Sequence, residues 1–237
     1  MAEPTLPSPN IWYWPELYEI ENRAQDVHGA IWAAVREECD WAGLDVLDVG
    51  CGDGFHLPVF AAAARSVVGV EPYQPLVRRA RDRVAGLAEV SVLSGGAARL
   101  PVPDASVDLV HARTAYFFGR GCEPGMAEAD RVLRRGGALV ILDLDISRAP
   151  YGAWMRADLP DYDPADVEAF FAEQGFRCRK VLTEWRFADA ASLAAVLRIE
   201  FSADVAERAI AQVTGLSIPV GYRIHVRRKP TGLLLPG

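Results

Sequence analysis

Gly50, Gly52 and Gly54 alternate through the stretch LDVLDVGCGDGFH, with Asp48 just before them and Asp53 between the last two. Glycines at that spacing let a backbone turn sharply and let a ligand approach without meeting a β-carbon. Glu71 stands 17 residues beyond Gly54, at the end of the apolar run VVGVE. A carboxylate there can accept two directional, charge-assisted hydrogen bonds from a pair of hydroxyls. His111 ends a third apolar run and carries an imidazole that titrates near neutrality, which makes it the candidate general base. The alternative for His111 is a passive residue that hydrogen-bonds the backbone and touches the ligand.

The elements that must position these groups read as alternating strands and helices. Leu44 to Val49 is expected as a buried strand, Phe55 to Ala64 as a helix, Ser66 to Val70 as a strand and Pro75 to Leu87 as a helix. Glu89 to Leu93, Val107 to Val110 and Ala138 to Leu142 continue the strands, and a helix from about Pro124 to Arg135 stops at Gly136-Gly137. Such alternation is the pattern of a doubly wound α/β fold, a parallel sheet with helices on both faces.

In that architecture a ligand sits beyond the carboxyl ends of the strands, where the glycine loop falls. Loop and acid alone would suit NAD, FAD or S-adenosylmethionine. The dinucleotide fingerprint places a third small residue where this chain has Phe55, so the spacing here is GxGxG. Asp48 and Asp53 would also confront an anionic pyrophosphate, whereas S-adenosylmethionine carries an ammonium and a sulfonium and no phosphate.

The segments LDVGCGDGFH, VVGVEP, SGGAARLPVPDASVDLVHA and EADRVLRRGGALVILDLD together resemble the successive motifs of class I S-adenosylmethionine-dependent methyltransferases over roughly residues 44 to 145. The resemblance implies a seven-stranded, mostly parallel sheet whose last strand is reversed. It implies that Asp48, Gly50, Cys51, Gly52 and Gly54 lie by the methionine part of S-adenosylmethionine. Glu71 and Pro72 would then face the ribose, Gly96 and Ala97 the adenine, and His111 and Ala112 the sulfonium, with S-adenosylhomocysteine as product. Gly96 stands where family members commonly carry an acid that binds the adenine amino group.

The remaining chain is read as the acceptor side. Residues 1–40 are expected as an N-terminal arm and helices forming a lid, broken near His28-Gly29, over a domain of residues 41–237 with a helical cap at about 189–217. Trp12, Tyr13, Trp14 and Tyr18 either stack on an acceptor or sulfonium or seal the domain edge. His111, Arg113, Tyr116, Asp143 and Asp145 are expected to floor the crevice, with His111 and Tyr116 as the catalytic candidates. Arg23 either meets the methionine carboxylate or is solvated, and His56 either touches the ligand or starts a helix. Cys51 is read as a small hydrophobe.

Asp163-Pro164 is expected to start a helix that Gly175 stops, and the alternating residues of 181–187 and 220–226 to add an antiparallel edge. His225 on the second of these strands, the arginines between 78 and 83, and the RRK triplet near the C-terminus are expected to be solvated.

Composition bounds the partners. The 237 residues are 51% hydrophobic and carry 25 basic against 32 acidic groups, net −7, which argues against a phosphate backbone or an anionic membrane as partner. Cys39, Cys51, Cys122 and Cys178 form no CxxC pair and no metal-ligand cluster, so reduced thiols and no metal are expected. The N-terminus lacks the pattern of a secretion signal. The expectation is a cytoplasmic monomer or homodimer acting on a small-molecule acceptor.

Overall fold

The structure is a computed structural model that describes residues 9–116 and 119–232. Residues 1–8 of the expected N-terminal arm lie outside the described residues. The chain opens with three helices, α1 (Pro9–Tyr13), α2 (Pro15–Ala24) and α3 (Ala30–Glu38). Then come β1 (Asp45–Val49), α4 (Leu57–Ala61), β2 (Ser66–Glu71), α5 (Gln74–Val84), β3 (Val90–Ser94), β4 (Val107–Arg113), α6 (Glu123–Val132) and β5 (Leu133–Leu144). The last third holds α7 (Tyr151–Asp158), α8 (Pro164–Glu173), β6 (Arg177–Arg186), α9 (Ala190–Glu200), α10 (Ala203–Gln212) and β7 (Ser217–Arg228).

The seven strands form one sheet in the order β3-β2-β1-β4-β5-β7-β6. The pairings β1/β2, β2/β3, β1/β4 and β4/β5 are parallel, while β7 runs antiparallel to both β5 and β6. This is the expected seven-stranded α/β sheet with a reversed last strand. Strand order reverses between β1 and β4, so the crevice for a ligand opens beyond Val49 and Arg113.

Side chains alternate between two cores along the central strands. On β5, Ala138, Val140, Leu142 and Leu144 join a core with α3, α7, α9 and α10. Leu139 and Ile141 join a second core with α6 and α8 on the opposite face. A side-chain period of two between two helical layers produces this division.

The two C-terminal strands add the expected antiparallel edge, with β7 between β5 and β6 and β6 outermost. Both faces of β7 are therefore covered, and its polar residues are shut in. His225 is 1% exposed, not solvated, with its ring 4.4 Å from that of Phe171, and Arg223 is 0% exposed. Burial pushes the His225 imidazole down to about 3.

Residues 133–135 begin β5 instead of ending α6, α7 had no counterpart in the sequence reading, and the expected helical cap consists of α9 and α10. Asp163 does cap α8, its carboxylate accepting the Ala165 amide at 2.8 Å.

Candidate active site

The glycine loop leaves β1 with Gly50, Gly52 and Gly54 all in the left-handed region, at φ of 73°, 58° and 80°. A β-carbon on Gly54 would lie 3.1 Å from Ala80, so this glycine lets α5 pack close to the loop. A β-carbon on Gly52 would come within 2.8 Å of the Ile11 Cδ1, which places α1 directly over the loop. The Gly50 and Cys51 amides donate to the Val70 carbonyl at 2.8 and 3.1 Å, tying the loop to the end of β2.

Glu71 completes that tie. Its Oε2 accepts the Gly52 amide at 3.1 Å and its Oε1 the Tyr73 amide at 2.9 Å. Burial raises its pKa above the ordinary carboxylate value, against the pull of these two amides. Beside it the Tyr73 ring stacks on Trp12 at 4.4 Å and 14°. Pro72 is half-buried next to it, and Gly96 and Ala97 lie half-buried in the loop after β3, where the Gly95 amide donates to the Glu71 carbonyl at 3.2 Å.

Asp48 and Asp53, grouped by the sequence reading, have different partners. Asp53 turns away from the loop mouth to Arg83, with Oδ2 2.8 Å from its Nη2, and also accepts the Phe55 amide at 3.2 Å. Arg83 in turn holds Glu19 of α2, and Arg79 holds Glu16. The exposed arginine row of α5 thus fastens the N-terminal helices. Asp48 meets His111, with Oδ1 2.7 Å from Nδ1 across the β1–β4 pairing.

His111 is fully buried beneath Trp32 and Phe60, with ring centroids 5.8 and 5.0 Å away, and its Nε2 has no hydrogen-bond partner among the described residues. His56 lies beside the same Trp32 ring, at 5.3 Å, and burial together with the nearby Arg113 and His111 drives its pKa well down. Ala112 points into the opposite core. So does Tyr116, whose hydroxyl lies against Gly125 of α6 and has no hydrogen-bond partner among the described residues. The sheet separates the two catalytic candidates.

Cys51 is buried, and its thiol is pushed well up by burial and by Asp48, Glu71 and Asp53, which removes it as a nucleophile. Arg23 pairs with Glu19 on the exposed side of α2. Asp143 is fully buried opposite Arg223, and burial pushes it up to about 7 against the pull of that guanidinium. Asp145 accepts the Ser147 amide at 3.1 Å.

A polar network under the N-terminal helices was not anticipated. Arg113, ending β4, donates through Nη2 to the Oε1 of Gln25, the residue that caps the C-terminus of α2. Gln25 donates to Glu21 at 2.7 Å. Glu200, the last residue of α9, accepts the Tyr151 hydroxyl at 2.6 Å and the Asn10 amide. The available signal was the face of α2 that carries Tyr18, Glu21 and Gln25 at helical spacing, polar where a packed helix is usually apolar.

These groups fit a nucleoside without a phosphate. The loop is cradled by glycines, an acid ends β2, an aromatic pair flanks it, and the nearby Arg83 is already engaged by two carboxylates. The fold is a doubly wound α/β sheet with this glycine loop at the reversal of strand order. A family model described as a methyltransferase domain matches residues 47–141. A probable S-adenosylmethionine-dependent methyltransferase of Mycobacterium tuberculosis strain H37Rv is 33% identical over 134 residues, covering 54% of this chain and 44% of the relative. A tRNA U34 carboxymethyltransferase of Methylococcus capsulatus is 33% identical over 179 residues, 66% of this chain and 55% of that protein. The chain thus spans about half the length of these two curated relatives. Among solved structures, the YcgJ protein of Bacillus subtilis superposes with a TM-score of 0.62 at 18% identity, covering 86% of this chain and all of that one. The [4+2]-cyclase SpnF gives 0.58 at 21% identity over 89% and 85% of the two chains. Residues 47–141 thus match a methyltransferase domain, and the seven-stranded fold is that of these solved structures.

Proposed function

We propose that the protein transfers a methyl group from S-adenosylmethionine to a small-molecule acceptor, leaving S-adenosylhomocysteine. The observation that carries this reading is the Glu71 clasp, in which one buried acid holds the Gly52 and Tyr73 amides at the end of β2. In it, Gly50, Cys51, Gly52, Gly54 and Asp48 line the methionine side, Glu71 and Pro72 the ribose, and Gly96 and Ala97 the adenine. When bound, the cofactor supplies a methyl carbon activated by a sulfonium leaving group, so the chain's task is to align the nucleophile and exclude water. Ile11 and Trp12 close the loop from above. Asp48 fixes the ring of His111 in the floor.

In this reading α1 to α3 act as the lid and α9 with α10 as the cap of a cytoplasmic monomer or homodimer. No helix among the described residues is long and apolar enough to cross a membrane. The net charge of −7 favours a small acceptor over RNA, although one relative is named for a tRNA substrate. A second reading, S-adenosylmethionine bound without methyl transfer, draws on the shared fold of the cyclase SpnF. Incubation with methyl-labelled cofactor and a metabolite extract separates the two. Label in a new small molecule supports transfer, and cofactor binding with no movement of label supports the second.

A further inference from the structure

The Glu21 side chain, from α2, and that of Glu200, from α9, meet where the N-terminal helices cover the end of β4. Glu21 is 3% exposed, its Oε1 accepts from Gln25, and its Oε2 is buried with no donor in the described chain. Glu200 accepts from Tyr151 and Asn10. Arg113 acts on Glu21 from a distance, but its Nη2 is engaged by Gln25 and its Nη1 points at no acceptor among the described residues. Burial together with the neighbouring Glu200 pushes Glu21 well up. Tyr18, Tyr151 and Tyr222 surround the pair, their own hydroxyls raised by burial. A buried acid with one oxygen unpaired, beside a second acid and among aromatic rings, is the complement of an ammonium group.

We propose that the methyl acceptor is a small molecule bearing a basic amine, and that Glu21 and Glu200 receive its nitrogen between α2, α9 and the end of β4. The inference rests on the methyltransferase reading above. The bound ammonium gives one proton to a carboxylate of the pair. The freed nitrogen lone pair then forms the N–CH3 bond as the S–CH3 bond breaks, and that bond's electron pair stays on sulfur as a neutral thioether. The positive charge passes from sulfur to the methylated nitrogen, so charge and atoms balance. His111 is not needed as the base, consistent with its place beneath Trp32 and Phe60.

The test is calorimetric titration of the full chain, saturated with S-adenosylhomocysteine, by phenethylamine and tryptamine and by their neutral counterparts 2-phenylethanol and tryptophol. The expected result is tighter binding of each amine, by about tenfold or more, with the preference lost in Glu21→Gln/Glu200→Gln while S-adenosylhomocysteine affinity is unchanged. Label transfer from the methyl-labelled cofactor is expected to the amines and not to the alcohols. Equal or tighter binding of the alcohols, or an amine preference that survives the double substitution, overturns the proposal. Failure of S-adenosylhomocysteine itself to bind overturns the methyltransferase reading instead.

Discussion

His111 and Asp48 face each other across the β1–β4 pairing, Nδ1 2.7 Å from Oδ1, and both side chains are buried. A carboxylate in that position accepts a hydrogen bond from Nδ1–H, so the neutral ring carries its hydrogen on Nδ1 and presents a bare Nε2 to the aromatic rings. Nitrogen NMR of labelled histidine is therefore expected to find His111 as the Nδ1–H tautomer at neutral pH. Asp48→Asn is expected to disturb that tautomer and to cost about 1.5–3 kcal/mol in thermal unfolding, the usual worth of a buried hydrogen bond to a charged group. An Nε2–H tautomer in the unmodified protein contradicts the arrangement.

Ile11 over Gly52 makes the lid sensitive to one methyl group. Gly52→Ala places a β-carbon 2.8 Å from the Ile11 Cδ1 at a φ of 58°, so it both strains the loop and pushes α1 away. We expect a loss of about 1–3 kcal/mol of stability together with weaker S-adenosylhomocysteine binding. Gly52→Ala/Ile11→Ala relieves the clash but not the strain, and its affinity is expected to recover in part. If Ile11→Ala restores nothing, the packing of α1 on the loop is not what the substitution disturbs.

Tyr116 lies on the far side of the sheet from His111, with a buried hydroxyl that finds no partner in the described chain. Removing such a hydroxyl relieves an unmet desolvation cost. Tyr116→Phe is expected to leave methyl transfer within about twofold and stability unchanged or raised by up to about 1 kcal/mol. A loss of transfer with normal cofactor affinity would restore Tyr116 to the catalytic set.

Two buried groups on β5 and β7 pull the pH dependence of stability in opposite directions. His225 is held down at about 3 in the fold, so between there and the ordinary imidazole value near 6.5 the unfolded chain binds the extra proton. Its contribution is present above about pH 6.5 and is lost as pH falls. Asp143 is raised to about 7, so the folded chain holds the extra proton from about pH 4 upward. Its contribution is present at low pH and is lost as pH rises toward 7. The two slopes, each up to about 1.4 kcal/mol per pH unit, largely cancel between pH 4 and 6.5. Urea unfolding across that range is expected to show stability falling with pH in His225→Phe and rising with pH in Asp143→Asn. Parallel profiles for all three proteins contradict the assignment.

The residues legible in the sequence were those whose constraint is local. The left-handed turns of Gly50, Gly52 and Gly54 and the apolar run before Glu71 reflect backbone and strand requirements, and the alternation they punctuate gave the sheet its form. What escaped was set by pairing at long range. Arg223 and His225 alternate with apolar residues as if one face of β7 were wet, and only the insertion of β7 between β5 and β6 buries that face. Asp53 looked like a ligand-facing charge until α5 brought Arg83 within 2.8 Å of it. Glu21 and Glu200, 179 positions apart, read as the polar sides of two helices because nothing local distinguishes an acid that faces water from one that faces another acid.

The central claim, that the loop and Glu71 hold S-adenosylmethionine, is tested most directly by calorimetric titration with S-adenosylhomocysteine. The account predicts saturable binding at one site, competed by S-adenosylmethionine and weakened about 10- to 100-fold by Glu71→Ala, in line with the loss of charge-assisted hydrogen bonds. Saturable binding of NAD(P) that S-adenosylhomocysteine does not compete, with no heat from S-adenosylhomocysteine itself, would contradict it.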